Sequence, residues 1–224
     1  MGTDGEPLVE GAHDADAAPG FRSLLTWPLA ILFMITTGIA SASAVFVWDR
    51  RPESPSAVDI GFADDMSAHH SQAIDMSITY LSNGGTPFLR HMAEEVLIYQ
   101  IGEVRDLQAA LAEWGEDGAD ENAMGWMGMP VDEYAQPGMA TPAELGALER
   151  ARGAELDDLF SRLMIRHHAG GGHMAAYTGE HARIGRIRDL ATTMARGQAS
   201  EIVELGNWRT DQGFDPVEVS DLPQ

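Results

Sequence analysis

Apolar positions recur along most of this chain at three- and four-residue spacings, the period of a helix packed on one side. No stretch sustains the two-residue alternation of a half-buried strand, so the chain is expected to be all-α. A first helix is expected to open at Asp59 as N-cap and run to about Ser82, where Asn83-Gly84-Gly85 stops it. Thr86-Pro87 restarts the chain as N-cap and first helical residue. Leu89, Met92, Val96, Tyr99 and Val104 then make an apolar stripe on a helix ending at Trp114. Periodicity fails from Gly115 to Ala140, a stretch long enough to suggest a function. Thr141-Pro142-Ala143-Glu144 reads as a capping box opening a short helix. Two further helices are expected at roughly Gly153 to Gly179 and Ile187 to Thr210. The first contains Gly170-Gly171-Gly172, which costs about 1 kcal/mol per glycine relative to alanine. Such a cost is tolerated where another backbone, a kink or a bound group comes close.

Ahead of these helices stand Trp27, twenty uncharged residues from Pro28 to Val47, and Trp48. Twenty helical residues span the hydrocarbon core of a bilayer, and tryptophans favour its two interfaces. The expected organisation is a disordered acidic tail at 1–26, one transmembrane helix at 27–48 and a Pro/Ser linker at 49–58. A helical domain at 59–215 and a tail at 216–224 complete it. Ala40-Ser41-Ala42 also resembles a signal-peptide cleavage site, but the acidic region before it is a poor n-region. Arg50 and Arg51 after the span outnumber Arg22 before it, which weakly opposes an external C-terminal domain.

The helical domain repeats itself. Phe62, Met66, His69, His70 and Met76 recur as Phe160, Met164, His167, His168 and Met174, at a constant offset of 98 residues. Arg90/Arg188, Ala93/Ala191, Gln100/Gln198 and Glu103/Glu201 keep that offset without a gap, the mark of an internal duplication. On a helix, Met66, His70, Ala73 and Tyr80 share a narrow arc with His69 and Met76 on its flank, so both histidines of a pair reach the interior on either side of its centre. Imidazole with thioether suits copper, Cu(I) especially, while imidazole alone also suits zinc, nickel or iron. The competing reading makes the histidines satisfied core residues and the methionines packing filler.

Composition narrows the choice. The net charge is −21 and all 14 basic residues are arginine, so a nucleic-acid partner is not expected. There is no cysteine, which removes disulfides and thiolate metal sites. Within the aperiodic stretch, Met124-Gly125-Trp126-Met127-Gly128-Met129 reads either as a soft-metal loop or as a hydrophobic strap over one end of the bundle.

The repeated F-x3-M-x2-H-H-x5-M, the later Q-x2-E and the Met124, Trp126, Met127, Gly128 linker resemble the "domain of unknown function 305" family over about residues 59–212. That resemblance implies a ferritin-like four-helix bundle built from two duplicated hairpins, exported or membrane-anchored, and some members bind copper or silver. Two departures stand out. Arg162 and Leu163 replace the acidic residue that Asp64 or Asp65 supplies in the first half, and Gly171 stands where the family usually has alanine.

The combined expectation is a non-enzymatic metal-binding protein, with copper as Cu(I) or Cu(II) or another transition metal. Its ligands would be His69, His70, His167 and His168, with Met66, Met76, Met164 and Met174 as soft partners. Asp65 and His173 are further candidates, and Glu103 and Glu201 would orient the imidazoles. The N-terminal helix would hold the domain at the cell membrane as a single-pass protein with its C-terminal part extracytoplasmic. A homo-oligomer and a membrane-protein complex stay open as partners, and the alternative role is an accessory subunit of a respiratory or copper-oxidase complex. A ferritin-like di-metal oxidoreductase fits less well, because no Glu-x-x-His motif is present.

Overall fold

The computed structural model describes residues 53–116, 123–132 and 135–219. They form five α-helices: α1 (Ala57–Asn83), α2 (Pro87–Trp114), the short α3 (Pro142–Arg150), α4 (Ala154–His181) and α5 (Gly185–Gln212). A single turn of 3-10 helix, Gly125–Met127, lies between α2 and α3. The only strand-like pairing among the described residues is one isolated antiparallel bridge, Ala123 to Val131. The all-α expectation therefore holds. The expected transmembrane span and acidic tail lie outside the described residues, and none of the described helices is long and apolar enough to cross a membrane.

The helix ends follow the capping signals with one correction. Ser56, not Asp59, is the N-cap of α1. Asp59 is the N3 partner, its Oδ2 accepting from the Ser56 backbone at 2.8 Å. The Thr141/Glu144 capping box forms as expected, and Pro87 and Pro142 each occupy the first turn of their helices. Gly115 and Gly213 take the left-handed conformation just past α2 and α5, the αL cap that glycine adopts without steric penalty.

α1 packs against α2, α4 against α5, and α1 against α4, so two helical hairpins meet through their first members. The core shows that α1 and α4 run in opposite directions. Phe62 and Met66 share one apolar cluster with Met174 and Ala175, while Met76 and Tyr80 share the other with Phe160 and Met164. Tyr80 and Phe160 stack with centroids 4.2 Å apart.

Each hairpin fastens the turn of the other. Asp59 accepts hydrogen bonds from the backbone N–H groups of Arg183 and Ile184, at 3.1 and 2.9 Å. Asp157, at the matching place on α4, accepts from the Tyr80 hydroxyl at 2.5 Å and from Thr86 N–H at 3.3 Å. Those backbone bonds and the Ser56 cap hold the Asp59 carboxyl below its usual range against the opposing effect of burial, the largest single influence on it.

Candidate metal centre

His69, His70, His167 and His168 all sit at the α1–α4 contact, none more than 1 % exposed. His69 and His167 face each other, ring centroids 3.8 Å apart and planes inclined by 35°. The two outer histidines turn toward the flanking helices. His70 Nε2 donates to Glu103 Oε2 of α2 at 2.8 Å. His168 Nε2 lies 2.7 Å from Glu201 Oε2 of α5, without hydrogen-bond alignment. Both glutamates thus lie against the outer imidazoles.

These partners decide where the ring protons sit. A carboxylate or backbone carbonyl can only accept, so the nitrogen facing it carries the hydrogen and the other ring nitrogen of a neutral imidazole keeps its lone pair. His69 Nε2 lies 3.2 Å from the Pro137 carbonyl, and His70 and His168 present Nε2 to glutamates. In all three rings the remaining nitrogen, Nδ1, is buried without a hydrogen-bond partner, and in His167 and His168 neither nitrogen makes an aligned hydrogen bond. Buried polar atoms are nearly always paired. Four orphaned imidazole lone pairs in one layer of the core can be met by a proton or by a metal cation.

The proton is disfavoured. Burial, then the neighbouring His70, pushes His69 down to about 3. Burial, then His69 itself, holds His167 well below the ordinary imidazole value. Desolvation and like-charge neighbours both oppose a cationic ring there. A proton is therefore a poor partner for the inner pair, His69 and His167.

Sulfur donors lie above and below this layer. Met66, Met76, Met164 and Met174 are all buried. The pairing is across the halves, with Met66 and Met174 in one cluster and Met76 and Met164 in the other. Among the described residues no three His, Asp or Glu side chains form a ready metal-binding group. His173 is half-buried with its Nε2 shielded and unpartnered. Asp65 is engaged elsewhere: its Oδ2 accepts from Met124 N–H at 2.7 Å and from Trp126 Nε1–H at 2.6 Å.

Those bonds anchor the methionine-rich segment, which behaves as a strap. Met124 is fully buried, and Trp126, Met127 and Met129 pack against the cluster that holds Phe62 and Met66. Further along, Gln72 clamps Ala140 by accepting from its N–H at 2.6 Å and donating to its carbonyl at 3.0 Å. The glycine run now has its reason. A Cβ on Gly170 would strike the Pro137 carbonyl of the strap, and one on Gly171 would meet the Gln198 carboxamide and, at 3.1 Å, His69 Cε1. Sequence reasoning missed Asp65, Gln72 and Gln198 in these roles. The Gln100/Gln198 recurrence was the only signal that marked one of them.

The family model "Domain of unknown function (DUF305)" matches residues 59–209. The chain belongs to the DUF305 family. A solved DUF305 protein of Streptomyces coelicolor, assigned as secreted, is 31 % identical with a TM-score of 0.67, covering 72 % of this chain and 97 % of that one. A DUF305 fragment from Deinococcus radiodurans is 25 % identical with a TM-score of 0.61, covering 71 % and 99 %. CopM in its Cu(I)-bound form is 25 % identical with a TM-score of 0.53, covering 69 % and 96 %. No curated protein matches the chain.

Proposed function

We propose that this family member is an extracytoplasmic copper-handling protein that holds Cu(I) or Cu(II) on its buried histidines for sequestration or transfer. The four orphaned Nδ1 atoms carry the reading: His69, His70, His167 and His168 each bury a ring nitrogen that no hydrogen bond in the fold uses. Met66, Met174, Met76 and Met164 would add thioether sulfur, which selects Cu(I) over harder ions. Glu103 and Glu201 would fix the tautomers and raise the basicity of the two outer rings. The CopM likeness supports the metal, and the secreted S. coelicolor relative supports the compartment. The reciprocal turn contacts and the offset of 98 support reading the two hairpins as a duplicated, ferritin-like pair. The twenty uncharged residues between Trp27 and Trp48 would anchor the domain to the membrane. Asp65 is better read as the clamp of the strap than as a ligand.

The test is metal content of the full chain, purified without a metal-affinity tag and loaded with Cu(I), Cu(II) or Zn(II). Wild type is expected to retain copper and His70→Ala/His168→Ala to lose tight binding. Retention of no metal by wild type would remove the reading.

One observation favours a second role, as a subunit of a larger membrane complex. Ile98, Tyr99 and Val203 are 71, 62 and 60 % exposed on α2 and α5, an unusual display for a highly charged surface. Co-purification of a stable partner with metal-free wild type would favour it.

A further inference from the structure

The histidine layer is sealed on one side and thinly covered on another. On the sealed side the strap lies against α4, with the Pro137 carbonyl on His69 and over Gly170, and Gly138 tight against the backbone of Arg166 and His167. A cleft of about 210 Å³ approaches from the α2–α5 side, lined by Tyr99, Gln100, Glu103, Met194, Gln198 and Glu201 among others. A second hollow of about 380 Å³ lies on the same two helices, lined by Asp106, Glu113, Arg186 and Leu190 among others.

One layer of side chains separates the cleft from the rings. Glu103 and Glu201 reach from it to His70 and His168. Gln198 reaches to Gly171, beside His69. Gln100 and Gln198 are 4 and 5 % exposed, and each has a buried Oε1 that accepts no hydrogen bond. Two buried, unpartnered carboxamide oxygens behind two half-buried carboxylates give the inner wall of this opening an oxygen-donor set. Oxygen donors bind cations more loosely than the imidazole and thioether beneath them bind soft metals. A negatively lined cleft in a chain of charge −21 also concentrates cations at its mouth.

We propose that the α2–α5 cleft is the port through which a metal cation reaches the buried histidines, with Gln100, Glu103, Gln198 and Glu201 as its transient oxygen ligands. The inference rests on the copper-binding reading above and adds the route. Gly197 lines the opening, and a Cβ there meets nothing within 4 Å, so a large side chain can be placed over the cleft without displacing the core. Gly206, on the same helix, has the same open surroundings and lies outside the cleft lining.

The experiment follows transfer of Cu(I) from a small chromophoric chelator to the full chain by stopped flow, together with final stoichiometry. Gly197→Trp, which plugs the mouth where the acidic lining gathers cations, is expected to load about tenfold more slowly or worse and to reach the wild-type stoichiometry. Gly206→Trp is expected to load at the wild-type rate. Gln100→Leu/Gln198→Leu, which leaves the histidines and glutamates in place, is expected to slow loading as well, and it carries the test if the tryptophan variant does not fold. Wild-type rates in Gly197→Trp, or in the glutamine variant, would overturn the port while leaving the histidine site standing. Absence of Cu(I) uptake by wild type would overturn both.

Discussion

His69 and His167, 98 residues apart in the chain, meet ring to ring with centroids 3.8 Å apart and no water-exposed edge. Two imidazolium ions could not share that contact, and burial holds both rings of the pair below the ordinary imidazole pKa. A protein that needed only packing here would gain by replacing both rings with apolar side chains, because unpaired buried polar atoms cost about 1–3 kcal/mol each.

Acid should therefore destabilise the metal-free protein. Histidines whose folded-state pKa is depressed leave stability intact above the ordinary imidazole value of 6.5. They withdraw it as pH falls from there toward the value of about 3 reached by His69. The melting temperature is expected to decline across that interval, and His69→Gln/His167→Gln is expected to flatten the decline. An unchanged slope in the double variant would mean that other groups govern acid unfolding.

Glu144 gives a second, smaller acid effect in a different window. Arg166 donates to both of its oxygens, at 2.8 and 3.1 Å, and with the Thr141 bonds this lowers its pKa to about 2. The stabilisation is present above the usual carboxylate value of 4.5 and is lost as pH falls toward 2. Because the pair is partly solvated, Glu144→Gln is expected to cost only about 1 kcal/mol at neutral pH. Denaturant titrations at pH 7 and near pH 2 should show the difference closing in acid.

The three consecutive glycines should respond differently to alanine. Gly170→Ala drives a Cβ into the Pro137 carbonyl and is expected to cost about 1–3 kcal/mol, the usual penalty of overpacking. At Gly172 the nearest neighbour is the Gln198 carboxamide oxygen at 4.0 Å, so Gly172→Ala is expected to stabilise the helix by up to about 1 kcal/mol. Thermal unfolding of the two single variants checks the opposite signs.

Asp65 should control the strap rather than the histidines. Asp65→Ala removes the acceptor for Met124 N–H and Trp126 Nε1–H and is expected to cost about 1.5–3 kcal/mol per charged hydrogen bond. Trp126 fluorescence should shift to the red as the ring becomes wetter. A binding-deficient Asp65→Ala with an unshifted spectrum would instead restore Asp65 as a ligand.

Much of this was legible in the sequence, and the gaps have a common cause. The Thr141/Glu144 box, the prolines at 87 and 142 and the Gly115 stop placed helix ends, because capping is a local matter. The His-His recurrence marked the buried histidine layer, and the Gln-x2-Glu recurrence marked the polar residues beside it. Asp59 as N-cap failed because Ser56, three residues earlier, made the better cap and freed Asp59 for the turn at Ile184. The crossed pairing of Met66 with Met174 and the use of Gly170 against Pro137 depend on the antiparallel α1–α4 contact and on the path of the strap. Neither has a signature at helical spacing.

The central claim is that the unpartnered Nδ1 atoms of the buried histidines are the metal-binding atoms. Histidine-selective 15N NMR of the full chain, before and after one equivalent of Cu(I), tests it most directly, since Cu(I) is diamagnetic. In the metal-free protein the Nδ1 resonances of His69, His70 and His168 should be those of unprotonated nitrogen and their Nε2 resonances those of N–H. Copper should move Nδ1 signals of the buried set and leave the Nε2 signals of His70 and His168 as N–H. Copper that binds with every buried Nδ1 resonance unmoved would contradict the account.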